Sequence, residues 1–143
     1  MATFTPVTVP GYESEAIPNL SDPEIRERLS PAALKGFFAI LEKWDVDGTT
    51  GANLLGGLSR ASFFNLKRSP RALSQDELMR VSYIIGIYRA LHILFSKALA
   101  NHWMKRPNDN PMFLGHTPLE YVLYQGIPGL QNVRNFLDAA TQR

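Results

Sequence analysis

The sequence predicts an all-α protein in which an N-terminal helix-turn-helix unit packs on a C-terminal helical domain. Apolar residues recur every three or four positions in several long segments, and no segment alternates apolar and polar residues as a half-buried strand does. Most of these segments begin with a serine or threonine followed by proline or glutamate in the first turn, as helix N-termini do. With 143 residues, 45% of them hydrophobic, the chain is long enough to bury a core.

Composition excludes several classes of protein. The chain has no cysteine, which excludes disulfides, cysteine zinc sites and thiol nucleophiles. Residues 1–10 lack the basic start and apolar core of a secretory signal, and the longest apolar stretch, 83–95, is shorter than the roughly 20 residues that span a bilayer. No glycine-rich phosphate loop and no Ser-His-Asp order occurs. These observations predict a cytoplasmic, non-enzymatic protein without a cofactor or a membrane partner.

Residues 1–29 are predicted to form an extended, partly flexible arm. Pro6, Pro10 and Pro18 interrupt any regular element there, because proline fixes φ and lacks the backbone N–H. Ser21 and Glu24 have the spacing of a capping box, which predicts a short helix that ends near residue 29.

Two longer helices follow the arm. Ser30 with Pro31 predicts the start of a helix that runs to about Trp44, and Ser74 with Glu77 predicts a capping box for a helix that runs to residue 95. The second helix has two apolar faces, one with Leu78, Val81, Ile85, Tyr88, His92 and Phe95 and the other with Ile84, Ile87, Leu91 and Leu94. A helix that is apolar on two sides is buried on two sides, so it is either the centre of the C-terminal half or a dimer contact.

The remaining elements are shorter. A short helix is predicted over 97–104, and the prolines and asparagines of 107–111 predict a loop. Thr117, Pro118 and Glu120 repeat the capping pattern and begin a helix that stops at Gly126, after which Pro128 permits a last helix. The sequence therefore divides into the arm, a unit at 30–73 and a C-terminal domain at 74–143.

Residues 49–68 contain the parts of a helix-turn-helix in the required order. These are a cap for the support helix at Thr49 or Thr50, its end at Gly57, a cap for the second helix at Ser59, and two apolar anchors at Phe63 and Leu66. The unit at 30–73 is therefore predicted to be a DNA-binding domain. The alternative is a capped helix pair that belongs to a bundle and does not contact DNA.

The side chains that the second helix would present outward suit contact with DNA. Arginine and asparagine can make bidentate contacts to guanine and adenine edges, whereas serine and lysine suit phosphates. Between Gly48 and Gln75 there are four basic residues and no acidic one, although an enrichment of this size also arises by chance. The candidate DNA-binding residues are Ser59, Arg60, Ser62, Asn65, Lys67 and Arg68.

Other candidate functional residues have two interpretations each. His92, His102 and His116 are the only histidines, and a hydrogen-bonded core histidine is favoured over a zinc ligand for His92. The aromatic residues Tyr121 and Tyr124 either close the helical bundle or face outward as a protein-binding patch, since tyrosine is a common interface anchor.

The chain also resembles a known family over residues 30–143. The motifs are Leu-Ser-Arg-x-Ser-Phe-Phe at 58–64, Leu-Ser-x-x-Glu-Leu at 73–78, Ile-Ile-Gly-Ile-Tyr-Arg-Ala-Leu-His-Ile-Leu-Phe at 84–95, Trp103, and Gly-His-Thr-Pro-Leu-Glu-Tyr at 115–121. In this order they resemble the Xre/MbcA/ParS antitoxins. Asn53, the additional glycine at 56 and Leu66 depart from the family pattern. A small alanine usually stands at the position of Asn53 and lets the two helices touch, and relatives often resemble a tryptophan-bearing helix at the position of Leu66.

This resemblance implies the antitoxin of a type II toxin–antitoxin pair. The C-terminal domain would block the active site of a RES-domain toxin that consumes NAD⁺. The protein would form a homodimer, bind operator DNA and repress its own operon. The resemblance places toxin contact at Tyr121, Tyr124, Arg134, Asp138, Ala139, Ala140, Thr141, Gln142 and Arg143. Two rival functions are a stand-alone transcriptional regulator whose C-terminal half dimerises or senses a ligand, and an enzyme that uses its histidines.

Overall fold

A computed structural model describes residues 18–142, and within this range the chain is entirely helical apart from its connections. It contains α1 (Pro23–Lys43), α2 (Gly48–Leu54), α3 (Arg60–Arg68), α4 (Gln75–Leu94), α5 (Lys97–His102), α6 (Pro118–Gln125) and α7 (Ile127–Thr141), with 3-10 turns at Trp103–Lys105 and Pro111–Phe113. The predicted all-α class is confirmed. The first 17 residues of the predicted arm, and Arg143 of the predicted toxin contact, lie outside the described residues.

The first helix is longer than predicted. Asp22, and not Ser21, caps it by accepting the N–H of Glu24 at 2.9 Å, and the helix continues through Pro31 to Lys43. The break predicted at Ser30 is therefore wrong, and the extended arm ends before α1 begins. The Ser30 hydroxyl donates to the Arg26 carbonyl at 2.5 Å and accepts the backbone N–H of Leu73 at 2.8 Å. A residue that looks like a helix cap instead joins α1 to the segment before α4.

Helix α4 occupies the centre of the fold and packs against α1, α5 and α7. The predicted capping box is present, because Ser74 accepts the N–H of Glu77 and Glu77 accepts the N–H of Ser74. Ile84, Ile87 and Leu91 are fully buried. The other predicted face is less buried toward its end, where Ile85, Tyr88 and His92 are half-buried and Phe95 is exposed. Contacts within one chain therefore bury one apolar face of α4 and only part of the other, although the helix lies at the centre of the fold as the first interpretation predicted.

The last two helices form a hairpin against α4. Thr117 and Glu120 make the predicted reciprocal capping box at the start of α6. Gly126 ends α6 with φ 66°, a left-handed conformation that favours glycine, and α7 begins at the next residue. Val122, Leu130 and Val133 bury the hairpin against the core. The local capping signals thus predicted this part of the fold to within one residue.

Candidate functional site

Helix α2 and the turn after it support α3. Asp47 caps α2 by accepting the N–H of Thr50 at 2.7 Å, so neither Thr49 nor Thr50 is the cap as predicted. The helix ends at Leu54, before the predicted Gly57. Gly56 and Gly57 follow with φ values of 113° and 92°, so the chain reverses at a point where only glycine adopts the backbone without strain.

Helix α3 is held by its predicted cap and its predicted anchors. Ser59 accepts the N–H of Ser62 at 3.1 Å, and Phe63 and Leu66 are buried. The Phe63 ring packs edge-on against Phe37, with ring centroids 6.5 Å apart. These contacts fix which side of α3 faces the core.

Close approach of α2 and α3 depends on Gly51. A Cβ atom built at Gly51 would lie 2.8 Å from Leu41 Cδ1 and 2.8 Å from Phe63 Cζ, so a side chain does not fit there. Asn53, which was expected at the helix contact, is exposed. The small residue that lets the helices touch is therefore displaced by two positions from the expected one.

The outer face of α3 carries the candidate DNA-binding residues. Ser59, Arg60, Ser62, Asn65, Lys67 and Arg68 are all exposed. None of the cations among them forms an ion pair with another residue of 18–142. Lys67 Nζ lies 5.8 Å from the centroid of the Phe38 ring, so its stem follows the side of the helix. The six residues are thus all open to solvent, on the outer face of α3 and its two flanks.

A buried carboxylate links α3 to α4. Arg71 donates two hydrogen bonds to the Glu77 carboxylate, at 2.9 and 3.0 Å, and the N–H of Ser74 donates a third. Burial raises the pKa of Glu77, but the bonds from Arg71 and Ser74 outweigh burial and hold this pKa below its ordinary value. The carboxylate is therefore charged at neutral pH and fixes the segment between the two halves of the chain.

The C-terminal half of α7 borders an open groove. The groove has a volume of about 840 Å³ and lies between the first half of α1, α4 and α7. Arg134 and Asp138 form an ion pair of 3.0 Å on its α7 side, and the Thr141 hydroxyl donates to the Asp138 carbonyl at 2.7 Å. Gly86 of α4 lies beneath Arg134, since a Cβ there would be 1.9 Å from Arg134 Nη1. This surface, the α7 groove, combines an apolar floor with a fixed pair of charges.

The remaining candidate residues at this end of the chain differ in exposure. Gln142 lines the α7 groove and is exposed, as is Ala139, whereas Ala140 is half-buried. Four of the predicted residues, Arg134, Asp138, Thr141 and Gln142, thus share one groove.

The two candidate tyrosines lie apart from that groove. Tyr121 packs edge-on against Phe113 with centroids 5.3 Å apart, and its hydroxyl accepts a hydrogen bond from Asn132 at 3.1 Å. Tyr124, by contrast, is 79% exposed. Tyr124 stands before the start of α7 and Gln142 after its end, so the length of α7 separates the two residues by about 20 Å. The predicted toxin-contact residues therefore form two surfaces.

Sequence reasoning missed three exposed apolar residues near these surfaces. Leu114 is 84% exposed and has φ 52°, and Leu123 is 38% exposed on α6. Ile93, 72% exposed, lines the α7 groove. Of the three, only Leu114 has a sequence feature that indicates exposure, because it directly precedes a glycine in a turn. Periodicity alone assigns Ile93 and Leu123 to helix and gives no indication of exposure.

The histidines are not gathered into one site. His92 Nδ1 lies 2.9 Å from the Tyr88 carbonyl, so the predicted hydrogen bond is present, although the side chain is half-buried and not in the core. His116 lies 3.6 Å from Glu120. From residue 18 to 142 there is no group of three or more His, Asp or Glu side chains that could hold a metal ion. None of the helices in that range is both long and apolar enough to cross a bilayer.

Comparison with known proteins identifies relatives of this chain. Residues 90–141 match the family model of the Antitoxin Xre/MbcA/ParS C-terminal toxin-binding domain. Over 120 residues the chain is 35% identical to the uncharacterized protein y4oB of Sinorhizobium fredii (strain NBRC 101917 / NGR234). The matched region covers 83% of this chain and 92% of y4oB. No solved structure matches the chain. The matched domain begins near the end of α4 and includes Tyr121, Tyr124 and the α7 side of the groove up to Thr141, whereas the α1 side and most of the α4 side lie outside it.

Proposed function

Because the chain belongs to the family of y4oB and carries the Xre/MbcA/ParS toxin-binding domain at residues 90–141, we propose that it is the antitoxin of a type II pair whose toxin is a RES-domain, NAD⁺-degrading enzyme. The family match is the observation that carries this proposal. The antitoxin performs no chemistry itself, since a protein that occludes a substrate pocket needs only to bind there. Its partner is a folded enzyme with an open active site.

We assign the toxin contact to the α7 groove and to the residues that follow it. Arg134 and Asp138 hold each other in position, so their charges are oriented before a partner binds. Ile93 adds an exposed apolar side chain to the same groove, and an apolar centre beside polar groups is typical of a protein interface. Thr141 and Gln142 extend the surface toward the end of the chain, which we expect at the mouth of the toxin's active site.

Co-expression with the product of the adjacent gene tests the antitoxin function. The expected result is copurification of the two proteins and restoration of growth and cellular NAD⁺. Absence of both copurification and rescue would contradict the proposal.

Deleting Ala139–Arg143 separates an antitoxin from the rival stand-alone regulator. The deletion removes the last turn of α7 but keeps its buried residues Val133 and Leu137. An antitoxin loses inhibition while it keeps its affinity for DNA. A stand-alone regulator has no protection phenotype to lose.

We also propose that the outer face of α3 binds the operator and represses the operon. This proposal is supported by the exposed cations of α3, the cap at Ser59 and the buried anchors Phe63 and Leu66. Replacing Arg60 and Asn65 by alanine should weaken operator binding by about 1–3 kcal/mol per base contact, while toxin inhibition persists. Lys35→Ala, at an exposed position of α1 outside the candidate DNA-binding residues, is the control. Unchanged gel shifts for the double variant would mean that α3 does not read DNA.

A homodimer is the form in which we expect the chain to bind its operator. Two copies would present their α3 helices to half-sites about one DNA turn, ~34 Å, apart. The mass of the protein in solution and of its complex with operator DNA tests this expectation. A complex with one copy of the chain per operator would contradict it.

A further inference from the structure

A second group of basic side chains lies where the end of α1 meets α5. Lys43, Lys105 and Arg106 line a groove of about 400 Å³ that also contains Trp44 and His102, and we call it the basic groove. Within residues 18–142, Lys43 and Arg106 form no ion pair. The groove contains one carboxylate, Asp45, whose side chain is fully exposed and 3.8 Å from Lys105 Nζ. Three cations against one carboxylate leave the surface positive.

The α4–α5 side of this groove comes from a stretch of sequence without acidic residues, whereas Glu42, Asp45 and Asp47 stand in the sequence on its α1 side. No aspartate or glutamate stands between Glu77 and Asp109, although five arginines and lysines do. The nearest acids before that run, Asp76 and Glu77, are bound to Arg80 and Arg71. Asp45 thus partly balances Lys105, but Lys43 and Arg106 form no ion pair within residues 18–142, and two such cations attract a polyanion.

The basic groove lies beside the start of the α2–α3 unit. Lys105 donates a hydrogen bond of 2.8 Å to the backbone carbonyl of Asp45, two residues before the α2 cap Asp47. Hydrogen bonds from Thr50 lower the pKa of the Asp47 carboxyl, and the charges of Arg60 and Lys105 lower it further. Arg60, the first residue of α3, and Lys105 are thus both near Asp47. The groove shares no lining residue with the α7 groove.

We propose that the basic groove binds the phosphate backbone of the same DNA duplex that α3 contacts, through Lys43 and Arg106. The inference rests on the proposed DNA-binding function and extends it, because Arg106 belongs to the matched toxin-binding domain. Lysine and arginine contacts to phosphate add affinity without sequence preference and fix the orientation of the duplex. Lys105 of the basic groove and Arg60 of α3 both lie near Asp47, and the basic groove shares no lining residue with the α7 groove, which favours DNA over the toxin as the occupant.

The test compares two double variants that remove the same number of charges. Lys43→Gln with Arg106→Gln changes the basic groove but keeps Lys105, whose bond to Asp45 is structural. Arg28→Gln with Lys35→Gln changes two exposed α1 residues that lie about 12 Å or more from Lys43 along the helix. Binding to a duplex from the upstream region of the gene, and to an unrelated duplex of equal length, is measured by fluorescence anisotropy at several salt concentrations.

The groove variant should bind both duplexes more weakly, by about eightfold per lost contact near 0.1 M salt, and its salt slope should fall by about one per contact. The control variant should retain the wild-type slope. Equal slopes for the two variants would overturn the inference alone. Loss of toxin capture with unchanged DNA binding would overturn it too and assign the groove to the toxin. A wild-type chain that binds neither duplex would overturn the proposed DNA-binding function and this inference with it.

Discussion

Replacing Gly51 by alanine should destabilise the protein, although alanine is the better helix former. The added Cβ would lie 2.8 Å from both Leu41 Cδ1 and Phe63 Cζ, closer than carbon atoms pack. Both neighbouring side chains are buried, so neither can move into solvent to relieve the contact. The substitution therefore forces α2 away from α3 or moves the Phe63 ring.

The magnitude follows from two opposing effects. Alanine in place of glycine inside a helix stabilises by up to about 1 kcal/mol, whereas overpacking a core costs about 1–3 kcal/mol. Because Phe63 is an aromatic ring held between helices, we expect overpacking near the upper part of that range. The net change in the free energy of unfolding should be a loss of about 1–2 kcal/mol.

Gly36→Ala provides the matched control. Gly36 also lies inside a helix, but its added Cβ would meet Ile85 Cδ1 at 3.5 Å, an ordinary contact. This variant should gain about 0.5–1 kcal/mol. In urea unfolding the Gly51→Ala midpoint should fall by about 0.5–1 M. Operator binding should weaken with it, since Phe63 positions α3.

A Gly51→Ala midpoint equal to or above that of Gly36→Ala would refute this reasoning. It would mean that α2 and α3 can move apart without lowering the free energy of unfolding, and that Gly51 does not determine how closely the two helices approach.

Three further predictions concern charge and surface. The folded-state pKa of Glu77 is lowered, so its carboxylate stabilises the fold fully above pH 4.5, the ordinary pKa, and this stabilisation is lost as the pH falls through the folded-state pKa. Glu77→Gln should therefore flatten this acidic part of a plot of urea midpoint against pH. An unchanged plot would show that the bond to Arg71 adds no stability. Gly86→Ala should displace the Arg134 guanidinium and weaken toxin binding about tenfold. The free energy of unfolding should stay within about 1 kcal/mol of wild type, because the flexible Arg134 side chain can move. Undiminished toxin affinity would exclude the α7 groove from the interface. Tyr124→Ala should leave stability within about 0.5 kcal/mol because the ring is exposed, and a larger loss in thermal unfolding would contradict its outward position.

Local signals predicted several elements accurately. Ser59, the Ser74 and Thr117 capping boxes, and the stop at Gly126 were all predicted correctly. A cap acts through hydrogen bonds between residues two or three positions apart, so the sequence alone contains both partners. The buried anchors Phe63 and Leu66 followed from spacing in the same way.

Where two local signals competed, the sequence did not distinguish them. Ser30 with Pro31 has the pattern of a helix start, yet the helix passes through it, and the Ser30 hydroxyl accepts a hydrogen bond from Leu73, 43 residues away. Asp47 caps α2 in place of the predicted Thr49 or Thr50, although threonine can also cap a helix. Such choices depend on which conformation lets the helices pack.

The sequence by itself determined that the chain is helical, where most helices begin, and which residues of α3 face away from the core, because these properties depend on neighbours within one or two helical turns. Only the tertiary structure decided that Gly51 and not Asn53 is the point of helix contact, that Tyr124 is exposed while Tyr121 is packed, and that Lys43 and Arg106 share a groove. These properties depend on distances between residues far apart in the chain, which are fixed by the packing of whole helices and leave no periodic pattern in the sequence.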